Sequence, residues 1–342
     1  MKMACTLAPL RMEVREAADP APGPGEALLR VEAVGLCGSD LHFYQGDNPY
    51  CTFPQTQGHE VCGTVLSFGA QYDGPLRAGQ RVCLEPLRPC GACYPCRTGR
   101  PNCCTKLQVL GIHAPGGLAE LYTVAAANLH DIGDLDPECG AMVEPISIGL
   151  HAVGRGQVTA ADTVAVFGAG PIGQAILLAA VDRGARVLMV DRIPARLAMA
   201  HALGAERIVD VNEEQAAEVI AAWTNGEGAA VVFDATGVPA VIRACVDAVA
   251  SAGRLVIVGI STQEVSIPVI NFTRKEMTIL GSRNNVGVFG EAVDLVRRNR
   301  ELVRSLITHR FSLERVPEAI AFALAHPTEA EKVMILVGGA AG

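Results

Sequence analysis

The chain has 342 residues, half of them hydrophobic and 19% charged, and its formal net charge at pH 7 is −8. Such a composition can bury the cores of two domains, which excludes an intrinsically disordered chain. No run of Lys or Arg stands out, so nucleic acids and anionic membranes are not expected partners. The first residues do not resemble a secretory leader, and we expect a cytoplasmic protein.

Short β-branched runs, punctuated by Gly, Pro and Asn, predict a β-rich first third. The predicted strands are Ala27–Val34, Val61–Phe68, Arg81–Glu85 and Leu118–Val124. Near residue 145 the pattern changes to short apolar strands that alternate with helical stretches. These strands are Thr163–Phe167, Arg186–Val190, Arg207–Asp210, Ala230–Asp234, Arg254–Gly259 and Thr278–Leu280, and the helices include Ile172–Arg183 and Ala195–Leu203.

Strand–helix alternation of this kind predicts an α/β fold with a doubly wound parallel sheet. Beyond residue 284 the pattern predicts two further helices, Gly290–Arg298 and Pro317–Ala325, and a last strand, Lys332–Val337.

A glycine-rich turn follows the strand that begins the alternating part. The sequence there is Gly-x-Gly-x-x-Gly, and a helical pattern comes directly after it. Gly168 permits the tight turn, Gly170 lets the backbone approach a pyrophosphate, and Gly173 lets the helix pack closely on the strand. In the context of strand, turn and helix, this motif predicts a dinucleotide site.

The next strand ends in Asp191, where a carboxylate would accept hydrogen bonds from the adenosine ribose. A carboxylate at this place repels a 2′-phosphate, which favours NAD over NADP, although Arg192 beside it could weaken that preference. The expected cofactor contacts in this region are Gly168, Gly170, Pro171, Ile172, Gly173, Asp191, Arg192 and Arg196.

A compact group of cysteines lies in a loop rich in Gly and Pro. Cys90, Cys93 and Cys96 are followed by Cys103 and Cys104. Four thiolates at short spacing can close a tetrahedron around Zn²⁺ with no open position, which is typical of a structural site. An iron–sulfur cluster is the alternative, but the last spacing does not match the ferredoxin patterns. Disulfides are less expected in a cytosolic chain.

A second set of potential ligands is dispersed along the chain. It consists of Cys37, His59, Glu60 and Glu144, each of which is weak evidence by itself because single residues of these types usually have structural roles. Together, one thiolate, one imidazole and one or two carboxylates would give zinc a mixed shell with an open position, as a catalytic site requires.

These motifs resemble those of a known family in both order and spacing. The motifs are Gly35-x-Cys37-Gly-Ser39-Asp40-x-His42, Gly58-His59-Glu60-x-x-Gly63, the four-cysteine loop, Glu144-Pro145 and the glycine-rich turn. Over essentially the whole chain, the sequence resembles the zinc-containing medium-chain alcohol dehydrogenases. It is most similar to the branch of sorbitol dehydrogenases and hexonate (L-galactonate or L-gulonate) 5-dehydrogenases.

The resemblance implies a GroES-like catalytic domain formed by residues 1–146 and 284–342, with a structural zinc loop at about residues 88–105. It implies a Rossmann NAD-binding domain over residues 147–283. It also selects Cys104 over Cys103 as the fourth ligand of the structural zinc ion.

For the catalytic zinc ion, the resemblance implies Cys37 and His59 as ligands, with Glu60 and Glu144 sharing or exchanging the remaining protein position. The sequence does not decide between the two carboxylates. Zinc would lower the pKa of a bound secondary alcohol, and hydride would then pass to the nicotinamide.

Two further residues of the first motif resemble the proton relay of the family. Ser39 would accept the alcohol proton and hand it, through the cofactor ribose, to His42, which passes it to solvent.

Further residues are expected near the ligands. Lys332 lies where the family places a cation near the pyrophosphate, and a solvated lysine is the alternative. Asp234–Gly237 and Val258–Gly259 end parallel strands, where ligands of doubly wound sheets bind. Arg283 is expected to reach the cofactor or a substrate carboxylate, and His113 to line the substrate pocket.

We therefore expect a homodimeric or homotetrameric enzyme with two zinc ions per chain that oxidises a sugar acid or polyol with NAD, a hexonate being the first choice. Polyol, butanediol and threonine dehydrogenases of the same family are rival functions. A zinc-free quinone reductase would lack this metal set. A non-enzymatic zinc-ribbon or nucleotide-sensing protein would need only the four-cysteine site.

Overall fold

The computed structural model describes residues 1–47 and 50–338. The chain divides into two compact units. The first consists of Met1–Glu144 and Phe289–Gly342, and the second of Pro145–Val288.

The strands are numbered in chain order. They are β1 Lys2–Ala8, β2 Arg11–Glu16, β3 Glu26–Leu36, β4 Glu60–Phe68, β5 Arg81–Leu84, β6 Leu87–Arg88, β7 Gln108–Val109, β8 Leu121–Ala125, β9 Leu129–Asp131, β10 Thr163–Phe167, β11 Arg186–Asp191, β12 Arg207–Asp210, β13 Ala229–Asp234, β14 Val249–Ile257, β15 Thr278–Gly281, β16 Ile307–Ser312 and β17 Lys332–Leu336.

The α-helices are numbered in the same way. They are α1 Gly38–Gln45, α2 Tyr94–Arg97, α3 Pro137–Arg155, α4 Pro171–Asp182, α5 Pro194–Ala202, α6 Ala216–Trp223, α7 Pro239–Ala248, α8 Ile270–Lys275, α9 Phe289–Arg298, α10 Arg300–Ser305 and α11 Val316–Ala325. None of them is long and apolar enough to cross a membrane.

The first unit is built on a sheet that both ends of the chain share. Its strand order is β16-β17-β3-β4-β5-β9, with β8 also paired to β3. The pair β16–β17 is parallel and the other pairs are antiparallel. Apolar side chains from distant segments, among them Leu29, Val65 and Ile335, form its core. The C-terminal strand β17 therefore completes a sheet that the N-terminal strands begin.

The second unit contains a six-stranded parallel sheet in the order β12-β11-β10-β13-β14-β15. This is the strand order of the doubly wound dinucleotide-binding fold. The central strands are buried almost throughout, because such a sheet carries helices on both faces. The predicted α/β fold with a doubly wound sheet and a β-rich part is confirmed.

Most predicted elements are present with bounds shifted by one to three residues. The strand predicted from Leu118 begins only at Leu121. The reason is tertiary: the preceding residues pair with the N-terminus of the chain, where Ala4 N–H donates to Leu118 O at 2.8 Å and Met3 bridges to Ala119.

Candidate active site

Three potential metal ligands of different chemistry meet in the first unit. The thiol of Cys37, the imidazole of His59 and the carboxylate of Glu60 each offer one ligand atom, and these atoms all lie within 4.8 Å of one another. His59 and Glu60 are buried, and Cys37 is half-buried. Cys37 thus forms one compact donor set with the adjacent residues His59 and Glu60, which follow it by 22 and 23 positions along the chain.

The backbone around Cys37 explains its position. Strand β3 ends at Leu36, and Cys37 is the N-cap of helix α1. Its N–H donates to Asp40 Oδ2 at 3.0 Å, which anchors the first turn of the helix. The end of β3 and the start of α1 therefore fix the position of Cys37.

Asp40 organises the donor set from behind. It is fully buried, and its Oδ2 lies 3.8 Å from His59 Nδ1. Gln57 Nε2 donates to the Asp40 carbonyl oxygen at 2.7 Å, and Gln57 Oε1 accepts from Thr6 Oγ1 at 2.6 Å. The sequence analysis assigned no role to Asp40 or Gln57, because only the folded chain brings them behind His59.

The electrostatics of the donor set favour a cation. Burial lowers the pKa of His59, but the negative charges of Asp40 and Cys37 outweigh this effect and hold the pKa well above its usual value. Burial raises the pKa of Asp40, partly opposed by the charge of His59. Negative charge therefore dominates around His59. This charge would stabilise a cation bound among the side chains of the donor set.

Glu144 lies on helix α3 and is also buried. Burial raises the pKa of its carboxyl group to about 7, with His59 and Lys332 opposing the rise and Glu60 adding to it. Glu144 therefore interacts electrostatically with these three groups, although it is not among the ligand atoms that lie within 4.8 Å of one another.

Lys332 is not solvated. It is 2% exposed, and its Nζ donates to Glu60 Oε1 at 2.6 Å, to Glu60 Oε2 at 2.8 Å and to Leu36 O at 3.3 Å. Burial lowers the pKa of this ammonium group, but the charges of Glu60 and Cys37 raise it above its usual value. The three N–H groups of the ammonium group thus have three acceptor atoms within the first unit. This geometry excludes the alternative of a solvated lysine, and the contact between Lys332 and the cofactor pyrophosphate stays a prediction.

Helix α1 carries the two residues of the predicted relay. The Oγ of Ser39 is buried and has no hydrogen-bond partner among the described residues. His42, one turn further on, is exposed, and its Nδ1 lies 3.1 Å from both carboxylate oxygens of Asp47. A buried hydroxyl without a hydrogen-bond partner is rare. It fits a site in which a bound ligand supplies that partner.

The donor set fits a zinc ion. With metal–ligand distances of about 2.0–2.3 Å, the ligands of a tetrahedral zinc ion lie roughly 3.5 Å apart, and the three ligand atoms are within 4.8 Å of one another. One sulfur, one nitrogen and one oxygen donor leave a fourth position open. Among the described residues, His59 Nδ1 has no hydrogen-bond partner, and it faces Asp40 Oδ2 at 3.8 Å.

The four-cysteine loop forms a second and separate group in the first unit. The sulfur atoms of Cys90, Cys93, Cys96 and Cys104 lie within 4.8 Å of one another, and Cys103 is not among them. Cys93 Sγ is 3.4 Å from Cys96 Sγ and 3.7 Å from Cys104 Sγ. Hydrogen bonds from the N–H groups of Cys96 and Thr105 lower the pKa of Cys93 to about 5. Four equivalent sulfur atoms suit a closed tetrahedral zinc site.

In the second unit, the glycine-rich turn joins β10 to α4. Gly168 has a φ of 99°, and a Cβ atom at Gly173 would overlap the carbonyl oxygen of Gly168. Both positions therefore require glycine. Pro171 and Ile172 form the first turn of α4, and the Arg196 guanidinium lies 3.6 Å from where a Cβ of Gly170 would be. The turn presents backbone N–H groups and one cation.

Asp191 ends β11 beside this turn. Its Oδ2 accepts from Ala169 N–H at 2.6 Å, and its Oδ1 accepts from the N–H groups of Arg192 and Ile193 at 2.7 and 2.9 Å. Gln174 Nε2 donates to the Ala169 carbonyl at 2.9 Å and holds the turn from the other side. The sequence analysis did not single out Gln174, because a glutamine inside a helix gives no signal of its own.

The remaining candidates occupy strand ends and a loop. Val258 follows β14, and its N–H donates to the Asp234 carbonyl at 2.9 Å. Arg283 follows β15 and is exposed. His113 is half-buried in the first unit, where its Nδ1 accepts from Val109 N–H and its ring packs 4.6 Å from Tyr50.

Comparison with known proteins identifies the family. Residues 23–134 match the model of the alcohol dehydrogenase GroES-like domain, and residues 171–298 match that of the zinc-binding dehydrogenases. The chain belongs to the zinc-dependent medium-chain alcohol dehydrogenase family. It is therefore an oxidoreductase of the alcohol dehydrogenase class, and the resemblance found in the sequence is confirmed.

Individual members are similar over nearly the whole dehydrogenase chain. The L-galactonate-5-dehydrogenase of Escherichia coli K12 is 33% identical over 300 residues, which cover 87% of this chain and 88% of that protein. The sorbitol dehydrogenase of Gallus gallus is 35% identical, with coverage of 95% and 93%. A structure of a short chain alcohol dehydrogenase from Escherichia coli CFT073, complexed with NADH, has a TM-score of 0.91 at 33% identity, with coverage of 98% and 99%.

The fit of Glu60 beside Gly35 can be tested in the dehydrogenase by mutation. Gly35 lies opposite Glu60 in the pair β3–β4, and a Cβ atom at Gly35 would overlap Glu60 Oε2. We expect Gly35→Ala to lower the free energy of unfolding by about 1–3 kcal/mol, because a buried carboxylate must shift. Chemical denaturation measures this change. Gly38→Ala is the control, since a Cβ atom there meets nothing within 4 Å. An equal loss in both variants would contradict the assignment.

Proposed function

We propose that this dehydrogenase oxidises a secondary alcohol of a sugar acid or polyol with NAD, and that a hexonate such as L-galactonate is its first candidate substrate. The observation that carries the proposal is the set of one half-buried sulfur donor and two buried donors, a nitrogen and an oxygen, within 4.8 Å of one another. A mixed set with an open position is typical of catalytic zinc, whereas four cysteines alone would serve structure only.

Each residue of the site has a chemical task in this proposal. Cys37 and His59 hold the zinc ion, with Glu60 and Glu144 sharing the remaining protein position. When bound, zinc supplies Lewis-acid chemistry, which lowers the pKa of a coordinated hydroxyl as it lowers that of water to about 7. Ser39 Oγ, unpaired and buried, would accept the substrate proton and give up its own hydroxyl proton in the same step. His42 is exposed and would be the group that releases a proton to solvent.

The second unit supplies the dinucleotide site. The backbone N–H groups at the start of α4 and the guanidinium of Arg196 receive the pyrophosphate. Asp191 is held in place by three backbone N–H groups, so its carboxylate is fixed where the adenosine ribose would bind. Its charge favours NAD over NADP, although the exposed Arg192 next to it could tolerate a phosphate.

Two features count against the rival classes. A zinc-free quinone reductase has no use for the buried pairing of Cys37 with His59. A non-enzymatic zinc-ribbon protein needs the four cysteines, but neither the mixed donor set nor the unpaired hydroxyl of Ser39. Within the family, sorbitol remains the second candidate substrate, because the sorbitol dehydrogenase of Gallus gallus is 35% identical to this chain and the L-galactonate-5-dehydrogenase is 33% identical.

The metal assignment predicts two zinc ions per chain with separate ligands. His59→Ala should lower the zinc content from two to one and reduce turnover by roughly 10³-fold, since it removes a Lewis acid worth several kcal/mol. Cys93→Ser is the matched variant. It should remove the other zinc ion and lower the thermal unfolding temperature, while the remaining zinc ion still supports turnover.

Elemental analysis and initial rates measure both effects. If His59→Ala retained two zinc ions and full turnover, the catalytic assignment would have to be abandoned.

A substrate screen tests the class of alcohol. We expect NAD reduction to be fastest with hexonates that carry a secondary hydroxyl at C5, slower with sorbitol, and negligible with primary alcohols. NADP should be reduced at least about tenfold less efficiently, because Asp191 repels a 2′-phosphate. Initial rates over hexonates, polyols, 2,3-butanediol and L-threonine, each with NAD and NADP, measure this. A clear preference for L-threonine would redirect the proposal.

We also propose that two copies associate through the second unit. Strand β15 is an edge of its sheet and offers unpaired backbone groups. The segment that precedes it exposes several large apolar side chains: Ile260, Val269, Ile270 and Phe272. An edge strand beside apolar surface can pair with its own copy in a closed twofold arrangement.

Ile260→Asp tests this association. The Ile260 residue is 96% exposed, so the fold should tolerate the change while an apolar contact between copies would not. We expect a dimeric mass for the unchanged chain and a monomeric mass for this variant at micromolar concentration, by sedimentation. Val211→Asp is the control, because Val211 is exposed after β12 at the opposite edge of the sheet. A monomeric unchanged chain would refute the proposal.

A further inference from the structure

The buried ion pair of Lys332 and Glu60 is built by three neighbouring strands. Lys332 begins β17, which pairs with β3, and β3 pairs with β4, where Glu60 is the first residue. Gly35 on β3 has no side chain, and the Glu60 carboxylate fills the space beside it. The pair is therefore a product of the sheet register and not of flexible surface side chains.

Stability alone is a poor reason for this pair. Taking two charges out of water is costly, and replacing a buried ion pair by apolar residues of similar volume is often neutral or stabilising. Lys332 and Glu60 are 2% and 1% exposed, so both charges are fully desolvated. Their place beside Cys37 and His59 indicates a role in the site.

The charges of the donor set explain what the ammonium group does. The thiolate of Cys37 and the carboxylate of Glu144 would together neutralise a bound Zn²⁺. The carboxylate of Glu60 is then a further negative charge, within 4.8 Å of the ligand atoms of Cys37 and His59. Lys332 neutralises it through contacts to both carboxylate oxygens, at 2.6 and 2.8 Å.

We propose that Lys332 is a positioning residue that competes with the zinc ion for the carboxylate of Glu60 and so keeps one coordination position available to the substrate. This inference rests on the proposed function, because it concerns the metal ion assigned to Cys37 and His59. The Lys332 ammonium group contacts the Glu60 carboxylate and the Leu36 carbonyl oxygen. It acts through the carboxylate that it holds.

The consequence of losing the ammonium group follows from electrostatics. A buried carboxylate without a cation is strongly destabilised. The metal ion would be the nearest positive charge available to Glu60. Glu60 would then bind the metal more tightly and compete with the alcohol for the open position.

The experiment uses the zinc-loaded protein and its variants Lys332→Met, Glu60→Gln and the double variant. In Lys332→Met, we expect zinc to be lost to a chelator about 10- to 100-fold more slowly, the usual range of effects for residues that contact metal ligands. Its kcat should fall by a similar factor. The zinc-loss rate reports metal binding independently of turnover, and a purely structural lysine would not slow it.

The double variant keeps the test decisive if Lys332→Met folds poorly, because it leaves no unpaired buried charge. Without the Glu60 carboxylate, Lys332 should have no influence on the metal. The double variant and Glu60→Gln should therefore lose zinc at rates within about threefold, with similar kcat. Lys332→Arg keeps the positive charge and should lose zinc at nearly the rate of the unchanged protein.

Several results would overturn the inference. Loss of zinc from Lys332→Met at the original rate would show that Lys332 does not compete for Glu60, and faster loss would show that it supports zinc binding. A large difference between the double variant and Glu60→Gln would have the same effect. If the unchanged protein binds two zinc ions and oxidises its substrate, these results reject only the role of Lys332. If the unchanged protein lacks the zinc ion assigned to Cys37 and His59, the proposed function is rejected as well.

Discussion

Buried charge around His59 constrains the architecture of the first unit. The carboxylates of Asp40, Glu60 and Glu144 lie out of contact with water, and each must be balanced or hydrogen-bonded to be tolerated there. Backbone N–H groups donate hydrogen bonds to the Asp40 carboxylate, and the ammonium group of Lys332 donates to the Glu60 carboxylate. The C-terminal strand has to reach the middle of the sheet to deliver that ammonium group. The sharing of one sheet by both chain ends is thus tied to the chemistry of the site.

The second unit meets a different constraint, which is close backbone packing. The turn between β10 and α4 has room only for hydrogen at Gly173, and this closeness brings the start of the helix to the carboxyl ends of the parallel strands. Asp191 at the end of the neighbouring strand accepts a hydrogen bond from the Ala169 N–H of the same turn. A strand order that reverses beside β10 creates the space for a dinucleotide, and local hydrogen bonds fix the groups that face it.

The sequence predicted those elements that depend on residues close together along the chain. The parallel sheet was predictable because apolar runs and helical runs alternate along the chain, and the four-cysteine group was predictable because all its members lie within one short loop. Helix α1 and the hairpin β1–β2 were not predicted. The helix is short and weakly amphipathic, and the hairpin lacks a strong turn signal. Both are stabilised by contacts with segments far away along the chain, such as the pairing of Thr6 with Gln55.

By itself, the sequence determined the family, the doubly wound sheet, the glycine-rich turn and the identity of the candidate ligands, since these depend on residue type and short spacing. Only the tertiary structure decided how the carboxylates and cations are matched. Lys332 and Glu60 are 272 residues apart, and their contact depends on the register of β17 against β3 and of β3 against β4. A shift of one residue in either pairing would turn a side chain to the opposite face of the sheet. Spacing along the chain does not encode that register, so the partner of Glu60 became visible only in the folded protein.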